Sequence, residues 1–458
     1  MEKVKRLFAG AIAAVCCIFI NVSCSSDDYI DAIPAASKAL VSVDMKSEDA
    51  QNTLANAQIL KSMLGIEKAE DCGIDLKEKL YFFENEEGMV GLCAKVSDKD
   101  DLTELFNNLA KAGKATKPTE RRDFTFSLLN GSWAAGYSKE ALIIVGPILP
   151  AQQAETIKSI TRWLKQDDDS GITGKPIFEK LQSQEGAVTM VARADALPQT
   201  VGAMLTIGTP QGIDDSDVFI AATLSKDNAE CLSINAETFA TDEKADKALK
   251  AETAKMCPIG GRFVSSAHSD ALCSIFINAK GSDFVDMMHN NKDLGVILAG
   301  ANTAIDMDNI LRSVEGNLLI SVAAYSDESA QLSIAAELAN ENFVKDIPYW
   351  KKSSPAGATI ETLGKNAYAY KSSNENFWFG ISDKKEFYGS TDQALAPGIL
   401  SASASPLPQA VKQAIPGKRF CITMNLQRLL GGNEQFAAVQ GIIAPLLGNI
   451  KYIVYNIK

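Results

Sequence analysis

Only two histidines, His268 and His289, occur in the 458 residues, and they limit the chemistry the chain can do. Polyhistidine metal sites are nearly excluded, and a Ser-His-Asp or Cys-His mechanism would have to run through one of the two. His268 stands among Ser265, Ser266, Ser269 and Asp270, on a short linker ahead of an apolar strand. Neighbours in sequence do not build a triad, so this cluster reads as a strand start. His289 follows the run Phe284 to Met288 and reads as a helix C-terminus, where an imidazole meets free carbonyls.

Other motifs carry no stronger signal. No G-x-S-x-G elbow is present. Gly171-Ile172-Thr173-Gly174-Lys175 looks like a phosphate loop, but its spacing is short and Pro176 stands where a magnesium-binding hydroxyl belongs. Asp306-Met307-Asp308-Asn309 begins like a calcium loop, lacks the required glycine, and reads as a solvated helix start. The acidic runs Asp167 to Asp169 and Asp214, Asp215 and Asp217 read as exposed loops. Beyond Cys24, the cysteines at 72, 93, 231, 257, 273 and 421 include no C-x-x-C pair, and most read as free, buried thiols. No catalytic residue, metal ligand set or cofactor is expected. A carboxylate hydrolase such as a glycosidase is the alternative, because it needs only two acidic side chains and the chain has 57 Asp and Glu.

Aromatic residues offer a binding chemistry instead. Tyr349, Trp350, Tyr368, Tyr370, Phe377, Trp378, Phe379, Phe387 and Tyr388 fall within 40 residues. Along a strand, Phe377 and Phe379 share one face and Trp378 takes the other, so one face would display rings if the other is core. Trp350, Phe377, Trp378 and Phe379 are the candidate surface for a glycan or a protein ligand.

The N-terminus states where such a surface is presented. Lys3, Lys5 and Arg6 precede an apolar run from Leu7 to Ile20, too short to span a bilayer, then the small Ser23 and Cys24. A lipoprotein signal peptidase cuts this arrangement, leaving a thiol that carries diacylglycerol and further acyl chains such as palmitate. Residues 1–23 are read as signal peptide and 24–36 as the acylated cysteine with a polar spacer. Ser25, Ser26, Asp27 and Asp28 form a tract that resembles the surface-export signal of Bacteroidota lipoproteins. The expectation is an outer-membrane protein held through its lipid anchor and facing the cell surface, the periplasmic face being the alternative. A net charge of −12 disfavours nucleic acid as a partner. Downstream, Phe436 to Ile450 is interrupted by Gln440 and Pro445 and reads as a buried helix.

The elements recur in order. Ala39 to Met45 alternates into a strand, followed from Ser47 by a helix with Glu48 and Asp49 in its first turn. Ala271 to Ile277 matches that strand, Gln331 to Leu338 matches Met89 to Val96, Gly380 to Lys384 matches Gly136 to Glu140, and Cys421 to Met424 matches Ala187 to Met190. The fold expected is α+β: two tandem similar halves, each an antiparallel sheet of hairpins and meander with segregated helices. Residues 37–265 form the first half and 266–458 the second. The second half lacks a counterpart of the strand Cys231 to Phe239 and of the helix after it, so Tyr452 to Tyr455 would be left as an open edge.

The lipoprotein cysteine, the spacer and Ile33-Pro34-Ala35-Ala36-Ser37-Lys38-Ala39-Leu40-Val41-Ser42-Val43-Asp44 together resemble the opening of a Bacteroidota lipoprotein family called domain of unknown function 4836. The resemblance runs over most of the mature chain and implies a somewhat longer protein. It brings no assigned activity and so no catalytic residues. The function expected is a lipid-anchored envelope protein acting as a non-catalytic binding or structural module.

Overall fold

A computed structural model describes residues 28–46, 72–196, 209–210, 212–228, 230–290, 305–325, 330–373, 375–431 and 450–457. Cys24, Ser25, Ser26 and Asp27, the helix expected from Ser47 and most of Phe436 to Ile450 lie outside the described residues. The described residues divide into two compact units, those up to 37 and from 72 to 179 in one, those from 38 to 46 and from 180 onwards in the other. These boundaries differ from the junction expected at 265/266. The described strands number 19.

Strand β1 (Ala39–Val43) belongs to the second unit, and the next six build the first. They are β2 (Leu80–Glu84), β3 (Val90–Lys95), β4 (Thr119–Arg121), β5 (Phe124–Leu129), β6 (Trp133–Tyr137) and β7 (Ala141–Gly146). All are antiparallel, in the order β2-β3-β7-β6-β5-β4. Every residue of the central β7 is buried, whereas the edge strand β4 is fully exposed and carries Glu120 and Arg121, charges that discourage strand addition. Helix α1 (Lys99–Lys111) starts where the Asp98 side chain accepts from the backbone of Asp100 and Asp101. It buries Leu102, Phe106 and Leu109, one stripe at helical spacing, and Phe106 stacks on Tyr137 with centroids 5.4 Å apart. Helix α2 (Gln153–Trp163) lies on β6 across Gly136, where a Cβ would meet Ile160 at 2.5 Å. The last residue of α2, Trp163, packs edge-on against Phe83, which fixes the start of the loop that follows.

In the second unit, β1 is joined by β8 (Val188–Arg193), β9 (Val218–Asn228), β10 (Cys231–Ala240), β11 (Cys273–Lys280), β12 (Val314–Tyr325) and β13 (Ala330–Leu338). Then come β14 (Thr359–Gly364), β15 (Ala367–Lys371), β16 (Asn376–Ile381), β17 (Glu386–Ser390), β18 (Phe420–Asn425) and β19 (Tyr452–Ile457). Their order is β1-β8-β9-β10-β19-β18-β11-β12-β13-β17-β16-β15-β14. The pair β10·β19 is parallel and the rest of this order is antiparallel.

This corrects the expected architecture. Within the second unit, thirteen strands from β1 to β19 share one mixed sheet, so two separate antiparallel halves are not what forms. The physical reason is edge pairing. β10 and β19 each carry buried side chains on both faces, and their backbone groups are satisfied by each other. The open edge expected at Tyr452 to Tyr455 is paired on both sides, by β10 and by β18.

Register in this sheet is written in side chains. Leu224, Ile234, Tyr455, Ile422, Ile275, Ile320 and Ile334 are successive cross-strand partners, an apolar row over seven strands. One residue along, Ser225, Ser233, Val454, Thr423, Ser274, Ser321, Ser333 and Ser390 form a second row, hydroxyls except for Val454. Side chains alternate between faces, so the two rows point in opposite directions. A one-residue slip would put hydroxyls into the apolar layer, which costs every strand at once. The hydroxyls satisfy one another: Ser274 and Ser321 are 3.1 Å apart, Ser333 and Ser390 2.8 Å, and Ser390 also donates to the Leu332 carbonyl. Replacing Ser390 with alanine strands the buried Ser333 hydroxyl and should cost about 1–3 kcal/mol, seen as a lower urea midpoint. Replacing both serines should cost less than twice the single change. An unaltered midpoint in Ser390→Ala would mean that the pair does not contribute.

Candidate functional site

The aromatic cluster mostly closes into the core. Trp350 is 4% exposed and stacks on Phe343, Phe377 is 9% exposed, and Phe379 is fully buried. Trp378 alone of the four candidate residues keeps partial exposure, on the opposite face of β16. Phe377 and Phe379 share one buried cluster with Phe343, Phe387 and, from α3 (Ile347–Ser353), Ile347 and Trp350, and that cluster takes three of the four rings out of solvent. His268 receives the Asp270 backbone N–H on Nδ1 and so closes a local turn. His289 sits in the last turn of the helix Gly281–Asn290, 3.0 Å from Asp308. Asp306 caps a helix, accepting from the Asn309 N–H at 3.0 Å. Of the six described cysteines, four, Cys72, Cys93, Cys231 and Cys421, are buried.

The site that the fold does assemble lies in the first unit, on residues that sequence reading treated as spacer and solvated loop. Asp28 to Ala32 make one 3-10 turn, and Tyr29, Ile30, Ala32 and Ile33 are buried. Tyr29 donates to the Lys79 carbonyl, Cys93 donates to the Tyr29 carbonyl, and the ring contacts Tyr29–Tyr81 and Tyr81–Phe178 continue the packing. With its neighbours anchored in this way, Asp31 is carried inside to 3% exposure.

A buried carboxyl needs partners, and the 166–174 loop supplies them. Asp167 tightens the loop by accepting from both the backbone N–H and the hydroxyl of Ser170. The chain then passes so close to Asp31 that a Cβ on Gly171 would lie 2.4 Å from Oδ1, which leaves room for glycine only. Thr173 donates its hydroxyl to Asp31 Oδ1 at 2.5 Å. On the same loop, Asp168 brings a second carboxyl to the cavity that Asp31 lines. Burial pushes Asp31 up to about 6; the Thr173 hydroxyl opposes this, and Asp168 and Asp28 reinforce it by hydrogen bonding and like charge. Asp167 is held below the usual carboxylate range by Ser170.

Around this contact is a cavity of about 500 Å³. Asp28, Asp31, Glu140, Asp167, Asp168 and Asp169 line it with Ser138, Gln166, Trp163 and Leu164, and no basic side chain is among the lining residues. Among the described residues no group of three or more His, Cys, Asp or Glu is placed to hold a metal ion. The arrangement can hold a proton on Asp31 and attract an extended cation. One signal could have revealed it: Asp31 stands inside the otherwise apolar Tyr29-Ile30-Asp31-Ala32-Ile33, where a carboxylate is costly without a partner.

The chain belongs to the family described as domain of unknown function DUF4836, whose model matches residues 29–400. The match starts at the first buried residue of the Asp28–Ala32 turn and includes every residue lining the cavity except Asp28. No curated protein matches the chain. A solved structure described as crystal form IV of TP0453 is similar at 11% identity with a TM-score of 0.27, over 44% of this chain and 76% of that one. A likeness of that size supports no inference about fold or function.

Gly171→Ala tests the close approach. The added methyl has no space against Asp31, so the loop must withdraw, and about 1–3 kcal/mol of stability should be lost. Thermal unfolding of the mature chain measures it. A variant as stable as the parent would mean that the loop does not rest on Asp31.

Proposed function

We propose that the chain is a lipid-anchored protein of the cell envelope, on the outer membrane and facing the cell surface, that works as a non-catalytic binding module. The anchor rests on the basic start, the apolar run and the Ser23-Cys24 pair, and the orientation on the Ser25 to Asp28 tract. The observation that carries the binding reading is the cavity on which six carboxylates and no basic side chain converge. Its field concentrates positively charged groups. Of the glycan and protein ligands expected from the sequence, it favours a protein segment bearing Lys or Arg. Trp163, at 6% exposure, offers almost no ring face to a sugar.

Binding of a Lys- and Arg-rich peptide to the mature chain, followed by calorimetry, tests the reading. Binding should weaken as salt rises, and Glu140→Gln or Asp169→Asn should each weaken it about two- to five-fold. No heat of binding at low salt would overturn it. The anchor has its own check: Cys24→Ser should move the protein from the membrane pellet to the soluble fraction. Protease added to intact cells should digest the parent while a periplasmic control survives.

A carboxylate hydrolase such as a glycosidase is the second reading. It is favoured by one observation, that Asp31 keeps its proton towards neutral pH beside a second carboxyl, Asp168. It predicts glycoside turnover that Asp31→Asn abolishes while peptide binding persists.

A further inference from the structure

We propose that Asp31 is a proton-controlled latch that fastens the 166–174 loop over the acidic cavity when protonated and loosens it when ionised. The inference rests on the cavity of the preceding section as the site being regulated, but its geometry stands apart from any ligand. Two groups of the loop meet Asp31, the Thr173 hydroxyl bonded to it and the Asp168 carboxyl on the same cavity, and they respond differently to a proton. Thr173 donates to Asp31 Oδ1 whether the carboxyl is neutral or charged. Asp168, which lines the same cavity, does not behave so: its carboxylate can accept from a protonated Asp31, whereas an ionised Asp31 repels it. One bond therefore turns into a repulsion on deprotonation.

The surroundings leave that repulsion uncompensated. Asp28 faces Asp31 from the same turn, and Asp168 faces it from the loop, with Asp167 and Asp169 on the same cavity. Strand β3, packed on the turn, contributes Cys93, a buried thiol that stays neutral, and Lys95, whose charge is engaged by Glu78 at 3.8 Å. Strand β7, also packed there, has no ionisable side chain from Ala141 to Gly146, and Glu140 just before it lines the cavity. No lining residue is basic. The hydrogen bonds of Gln166, Asp167 and Ser170 run within the loop and do not tie it to the turn. Ile172, fully buried, is the apolar attachment that pH leaves untouched, so ionisation loosens the loop without unfolding the unit.

The sign follows from linkage. Burial beneath the closed loop, reinforced by Asp168 and Asp28 and opposed by the Thr173 hydroxyl, raises the proton affinity of Asp31 above that of an ordinary carboxyl near 4. The fastening is thus complete at and below that value and is lost as pH rises through about 6. Between pH 5 and pH 7.5 the opening equilibrium should increase about ten-fold and then level off. Hydrogen exchange of the mature chain, read on peptides spanning 164–175 and corrected for intrinsic rates, measures it. Peptides from α1 control for global effects.

Asp31→Asn keeps an acceptor for Thr173 and a donor for Asp168 and cannot ionise, so its profile should be flat at the acid level of the parent. Asp168→Asn removes the repulsion and should shrink the pH effect several-fold. A flat profile in the parent, or an unaltered slope in Asp31→Asn, overturns the latch. Neither measurement uses a ligand. Failed peptide binding beside a pH-dependent loop would remove the binding reading alone, and peptide binding beside a flat loop would remove the latch alone.

Discussion

The larger unit depends on the ladder between β10 and β19. Left apart, each strand would expose a row of unpaired backbone groups flanked by apolar side chains, an arrangement prone to association. Paired from Cys231↔Tyr452 to Ala236↔Ile457, they make strands distant in sequence into one sheet. The register also matches the two faces across the junction, with Ile234 beside Tyr455 and Ser233 beside Val454. The junction is not free of cost. The Tyr455 hydroxyl and Asn456 Oδ1 are buried there without partners among the described residues, which costs on the order of 1–3 kcal/mol each. Burying Val454, Tyr455 and Ile457 offsets this, since a fully buried large apolar side chain contributes roughly 1.5–3 kcal/mol.

The same rule about buried polar groups shapes the smaller unit. Tyr29, Ile30, Ala32 and Ile33 are apolar enough to pull their turn inside, and Asp31 is carried along. Its burial is tolerated because Thr173 reaches it, and Thr173 reaches it because Gly171 has no side chain. A run of three aspartates that would otherwise be an ordinary solvated loop is thereby held at the rim of a cavity. Acidity is concentrated by packing, not by any charge motif.

Local features were legible in the chain wherever they depended on near neighbours. The Asp306 cap, the position of His289 at a helix end and the alternating strands from Ala39 and Cys273 all follow from spacing within a few residues. The aromatic cluster was legible as a cluster but not as a surface. Strand periodicity separates Trp378 from Phe377 and Phe379, yet it says nothing about which face the core will take, and the core takes the one with two rings. The four ordered sequence matches suggested two independent halves; pairing of β19 with β10 instead joined their strands into one sheet. No local pattern specifies which strand a free edge will meet.

By itself, the sequence determined the class of chemistry available. Two histidines, 57 acidic residues and no C-x-x-C pair leave carboxylates and packing surfaces as the working groups. It also determined the strands and helix caps, because periodicity and side-chain hydrogen bonds act over a few residues. Only the tertiary structure decided that β19 closes an edge, that three aromatic candidates are core, and that Asp31 meets a loop 142 positions away. Each of those outcomes is a competition for burial between segments far apart in the chain, and sequence spacing does not encode who wins it.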